Sequence, residues 1–71
     1  MRKVVKITNE PTFDTGIESY VINCDVDEQS YSLAPYLEKA KSFTDDTSLD
    51  KVFQFITSRL PKADVRIVEV D

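Results

Sequence analysis

The side chains of this sequence that could do chemistry are one cysteine, two clusters of carboxylates and two groups of cations. Cys24 is the only cysteine, and the chain contains no histidine. A nucleophilic thiol wants an adjacent base, most often His. Its sequence neighbour is instead Asp25, whose charge opposes thiolate formation. A redox role would require an exposed thiolate of low pKa, which nothing beside Cys24 favours. The plainer reading is a small core residue, since free cysteine is among the most buried residue types. A lone Cys also excludes an intrachain disulfide, and without His a structural zinc site lacks ligands.

The carboxylates gather at Asp25, Asp27 and Glu28, and at Asp45, Asp46 and Asp50. The first group resembles the opening of a calcium-binding EF-hand loop, but Ser30 stands where the sharp turn needs Gly and Tyr36 where the bidentate Glu belongs. Paired carboxylates could serve hydrolysis. In a chain this short they read more simply as turn residues and as partners of a helix N-terminus. The sequence therefore assigns no catalytic residue, no metal ligand and no cofactor. Asp25, Asp27, Glu28, Asp45 and Asp46 stand instead as candidate partner-binding residues.

Arg2, Lys3 and Lys6 lie near the start of the chain, and Arg59, Lys62 and Arg66 near its end. If the first and last strands are neighbours, these cations meet on one side. Arg2, Lys6 and Arg66 are the members carried forward as candidate contacts. With Tyr20 on the second strand as a stacking surface, they outline a nucleic-acid reader. The net charge of −4 opposes that reading, and equally a general attraction to anionic membrane. Phe55 is a further candidate, because it lies off the centre of its helix's apolar stripe. Either it flanks the core or it is an exposed anchor for a partner.

These residues must be positioned by a small scaffold. Seventy-one residues form one domain, 1–71. The composition, 41% hydrophobic and 31% charged, is that of a folded chain. No apolar run approaches the ~20 residues of a membrane span. No secretory signal is apparent, because Lys6, Asn9 and Glu10 interrupt the apolar stretch after the basic start. With a free thiol, this gives a cytoplasmic expectation. A single Gly leaves no room for a phosphate-binding glycine loop.

Strands are expected at Arg2 to Ile7, Ile17 to Cys24 and Val65 to Val70, from their β-branched content. Thr8 to Gly16, with Pro11 and Gly16, reads as a loop. Gln29 to Leu33 reads either as a short hairpin strand or as the approach to a helix. Leu33, Tyr36, Leu37, Ala40 and Phe43 have helical spacing, with Ser32 as cap and Pro35 in the first turn. Leu49, Val52, Phe53, Ile56 and Leu60 define a second helix, capped by Thr47 or Ser48 and stopped by Pro61.

The expected fold is α+β: a three- or four-stranded, mostly antiparallel sheet with two helices on one face, in the order β-β-(β)-α-α-β. Every strand carries apolar residues on both faces, Cys24 facing with Tyr20 and Ile22 and away from Val21. The first and last strands are the expected edges. Surplus apolar surface and open edges point to a protein partner, with a homodimer as one form, and so to a non-enzymatic regulator or inhibitor. Small size, acidity and the lack of catalytic groups suit the short accessory proteins carried by bacteriophages and mobile elements. The alternative is a nucleic-acid-binding protein using the terminal strands.

From the lone Cys and the absent His, thermal unfolding is expected to be the same with and without chelator, and with and without reductant. A large loss of stability under either treatment contradicts this reading.

Overall fold

The computed structural model describes residues 2–10 and 17–70. Four strands form one antiparallel sheet: β1 (Arg2–Thr8), β2 (Ser19–Asp25), β3 (Ser30–Ala34) and β4 (Asp64–Val70), in the spatial order β3-β2-β1-β4. Among the described residues a single α-helix, α1 (Asp46–Arg59), covers one face. The α+β class and the antiparallel pairing agree with expectation, and the segment read as Gln29 to Leu33 resolves as the hairpin strand β3, with Gln29 in the turn before it. The loop roles expected of Pro11 and Gly16 lie outside the described residues.

The expected first helix is absent. Leu33 belongs to β3, where it pairs with Val21. Pro35 disfavours helical geometry in the residue before it, and Ala34 ends the strand. Only a 3-10 turn, Leu37–Lys39, follows. Tyr36 and Leu37, which a buried helical stripe would cover, are 51% and 38% exposed. The helical spacing arises because Leu33 and Phe43 enter the core from two different extended segments.

Residues 41–43 take the place that the missing helix would have left empty. The Lys41 amide donates to the Val21 carbonyl at 2.9 Å. The Phe43 amide donates to the Lys3 carbonyl at 2.9 Å, and the Lys3 amide returns a longer bond to the Phe43 carbonyl at 3.4 Å. β1 and β2 pair directly only at Lys6–Tyr20 and Ile7–Ser19. Toward the start of β1 the two strands part, and the 41–43 segment is wedged between them.

β2 bends to allow this. Its register against β3 slips between Val21 and Asn23, with one extra residue at the bulge. Strict alternation would put Cys24 on the face opposite Val21. The slip returns it to the same face, where it packs against the core. This corrects the sequence expectation, which counted by twos through a bulge that no Gly or Pro announces.

The core under α1 is Val5, Ile7, Val21, Phe43, Leu49, Val52 and Ile56, all buried. The other face is not a bare apolar plate. Val4 is fully buried there, and Val68 and Val70 are half-buried. A second correction concerns the edges. β1 is an interior strand, flanked by β2 and β4, so among the described residues the open edges are β3 and β4.

α1 is capped by Asp45 rather than by Thr47 or Ser48. The Asp45 backbone is extended, and its carboxylate accepts from the amides of Thr47 and Ser48. An aspartate in that geometry is as good a cap as Ser or Thr, and it captures the turn before either can. The buried stripe is Leu49, Val52 and Ile56. Phe53 is half-buried and stands outside the core cluster. Phe55 packs against that cluster and meets Tyr31 of β3 edge-on, with ring centroids 6.0 Å apart.

Ile56→Ala should therefore be the most damaging truncation in the helix, at about 2–5 kcal/mol, comparable to the whole stability of ~3–5 kcal/mol that a chain of this size reaches. Phe55→Ala should cost more than Phe53→Ala, the reverse of what the apolar spacing alone suggests. Denaturant titration of the three variants checks the order, and a larger loss for Phe53 would contradict this packing.

Candidate functional site

The residues singled out by sequence fall into three places. Asp25, Asp27 and Glu28 lie at the β2–β3 hairpin turn, all exposed. The Asp25 carboxylate accepts from the Glu28 amide at 3.2 Å, and the Gln29 amide closes the turn on the Val26 carbonyl. Gln29 has a φ of 55°, a left-handed position usually given to Gly or Asn. Its side chain accepts from the Arg59 guanidinium at 2.7 Å. Arg59 also lies 5.2 Å over the Phe55 ring. Gln29, Arg59, Phe55 and Tyr31 thus clamp the hairpin to the last turns of α1. The ring pair contributes ~0.5–1.5 kcal/mol and the exposed cation–π contact ~0.5–1 kcal/mol. Phe55 is therefore a flank of the core as well as a wall of the surface.

Asp45 and Asp46 mark the start of α1. Both Asp45 oxygens are engaged: one takes the Thr47 amide, the other the amide and hydroxyl of Ser48, the latter at 2.8 Å. The Ser48 hydroxyl above all, then the Thr47 and Ser48 amides, hold the Asp45 carboxyl below its ordinary range. Asp46 forms an ion pair with Lys3 at 3.2 Å. Its exposure makes that pair worth little. The two acidic groups share no described hydrogen bond, and no group of three or more metal-ligating side chains occurs among the described residues.

The cations separate by face. β1 pairs with β4, as the clustering argument required, and Lys6 stands opposite both Arg66 and Tyr20. Arg2 has the same parity and shares their face, turned away from α1. Lys3 has the opposite parity and turns to the helix side. Lys6 is neutralised by Glu18 at 3.0 Å, and Arg2 donates to the Ser42 hydroxyl.

Sequence reasoning missed one site. Between the hairpin turn and α1 runs an open groove, about 380 Å³ in its first part. Cys24, Phe43 and Val52 line that part. Val26 continues it into a second depression beside Phe55 and Arg59. Lys41 and Lys51 line the first part. The groove exists because the 41–43 wedge holds β2 away from β1, and no local sequence signal reports that. Burial pushes the Cys24 thiol up, Lys41 pulls it partly back, and Asp25 adds a small upward push. The thiol thus stays protonated at neutral pH and serves as an apolar wall. Among the described residues, no helix is long and apolar enough to cross a membrane.

Comparison of the chain with protein-family models, curated proteins and solved structures finds no match.

The lowered Asp45 carboxyl has a stability consequence with a defined sign. Its contribution is fully present above the ordinary aspartate range and is lost as pH falls through the lowered folded-state value. Asp45→Ala should lower the unfolding temperature at neutral pH, and Asp45→Asn should restore most of it. The gap between wild type and Asp45→Ala should narrow toward about pH 2, below the ordinary carboxyl range. Melting curves across that range test this, and a gap independent of pH would contradict it.

Proposed function

We propose that this chain is a non-enzymatic protein-binding module that regulates or inhibits its partner, and that the partner adds a strand to the open edge of β4. The observation that carries the reading is the state of that edge. All seven residues of β4 pair with β1 in unbroken register, with no bulge and no proline, so the opposite side offers a regular row of backbone donors and acceptors. Ile67, at the middle of the strand, remains 39% exposed on the helix side. Edges of this kind are templates for another chain unless charge or irregularity protects them, and strand addition is a common mode of peptide recognition. The other edge, β3, is shorter and is followed at once by Pro35. Arg66 and Glu69 are the only charges within β4 beyond its first residue, Asp64.

A second copy of the chain is the simplest strand donor, since two-fold dimers are the commonest closed assembly. Hydrogen exchange in an extract of the source cells tests the strand-addition reading. The expected result is added protection confined to β4 and reduced by Ile67→Lys. Protection located elsewhere, or none, would remove it. Light scattering coupled to gel filtration over a range of concentrations separates a dimer from a foreign partner.

One observation favours the second reading, a nucleic-acid binder. The sheet register aligns Tyr20, Lys6 and Arg66 in one row across three strands. The ion pair of Lys6 with Glu18 and the chain's net charge of −4 weigh against it. Fluorescence anisotropy with a labelled single-stranded oligonucleotide at low salt discriminates, because binding that weakens steeply with salt is the signature of phosphate contacts.

A further inference from the structure

The groove between the hairpin and α1 has a charge opposite to that of the protein as a whole. The chain carries −4. The charged residues lining the two parts of the groove are Lys41, Lys51, Arg59 and Asp45. Asp45 already accepts three hydrogen bonds from its own helix turn, so it offers little to a ligand. It also plugs the helix N-terminus, which is therefore not an anion seat in its own right. The three cations form no ion pair among the described residues. Two are held in place: Lys41 lies 5.7 Å over the Phe43 ring, and Arg59 is stacked on Phe55 and bonded to Gln29.

The uncharged lining is mixed: Cys24, with its thiol protonated, Val26, Phe43 and Val52 are its apolar members, and Ser42, Thr44 and Ser48 its polar ones. A ligand that satisfies the cations and the apolar members needs negative charges along its length and an apolar group between them. The surrounding carboxylates, Asp25, Asp27, Glu28, Asp46 and Asp50, are exposed and stand outside the lining. They repel an acidic ligand on either side of this strip, so they fix its register rather than forbid it. Screening at physiological salt, over a Debye length of ~8 Å, lets the cations at contact distance dominate.

We propose that this groove receives an acidic segment of a partner protein, with one apolar side chain of that segment seated on Val26 and Val52 and its carboxylates facing Lys41, Lys51 and Arg59. This rests on the protein-binding reading but uses a different surface from the β4 edge, so the two fail independently. Nucleic acid also carries negative charge, but it gives no use to the apolar members of the lining.

The test uses the whole chain and short synthetic peptides of Asp and Glu with one central Phe. Amide shifts are followed by NMR, and affinities are read from the titrations. The expected result is shifts at Val26, Lys41, Lys51 and Arg59 with β4 unaffected, and affinity that weakens with salt. Lys51→Glu should reduce affinity roughly fivefold to tenfold, the scale of reversing one exposed charge pair. Glu is a good helix former and position 51 is exposed, so the fold should hold. Val26→Ser, in an exposed turn, should weaken the Phe-bearing peptide and leave its Phe→Ser counterpart unchanged. A charge-reversed peptide binding equally well, an equal response to inorganic polyphosphate, or shifts confined to β4 or to the face bearing Lys6 and Arg66 would each overturn the proposal.

Discussion

The structure depends on how residues 41–43 fill the split between β1 and β2. Two strands that pair at only two positions would leave backbone groups of Lys3 and Val21 without partners in a largely buried region. Each such buried group left unsatisfied costs about 1–3 kcal/mol, against a total stability of ~3–5 kcal/mol for a chain this small. The 41–43 segment supplies those partners through Lys41 and Phe43, and it delivers the Phe43 side chain to the core under α1. One helix then covers the sheet where the apolar pattern had suggested two.

Several other features follow from that wedge. β2 must bend away from β1, which the bulge after Val21 accomplishes. The bulge turns Cys24 toward the core and tilts the hairpin so that its tip lies along α1. There the hairpin is fastened by Gln29, Arg59, Phe55 and Tyr31. The surface between the hairpin and α1 is the groove, which gathers cations on an acidic protein. The sheet's two ends thus differ in character. The hairpin side is clamped and grooved, whereas the β4 side ends in a regular edge whose charges are Asp64, Arg66 and Glu69.

Local signals in the sequence carried the strands and α1. β-branched runs located β1, β2 and β4 to within a residue or two, and the spacing of Leu49, Val52 and Ile56 located the helix. Non-local pairing was not legible. The residues from Leu33 to Phe43 have helical spacing, yet their backbone partners, Val21 and Lys3, lie far away in sequence. The slip at Val21 and Asn23 carries no Gly or Pro, so counting by twos misplaced Cys24. The candidate charges were found by type, but their grouping required the register: Arg2, Lys6 and Arg66 share a face, and Lys3 does not. Phe55 was recognised as unusual, and its role needed Tyr31 as a neighbour, which a segment read as half strand and half helix could not supply.

The claim that the 41–43 wedge holds the fold together is open to direct measurement by native-state hydrogen exchange of individual amides. The Phe43 and Lys41 amides are the donors of the two shorter wedge bonds. If the wedge is part of the cooperative core, both should be protected to the same degree as the interior amides of β1, exchanging only when the whole domain unfolds. If they exchange as fast as the amides of the exposed hairpin turn at 26–29 while β1 stays protected, the segment is a surface loop resting on the sheet, and the account given for the bulge, the inward Cys24 and the groove is wrong.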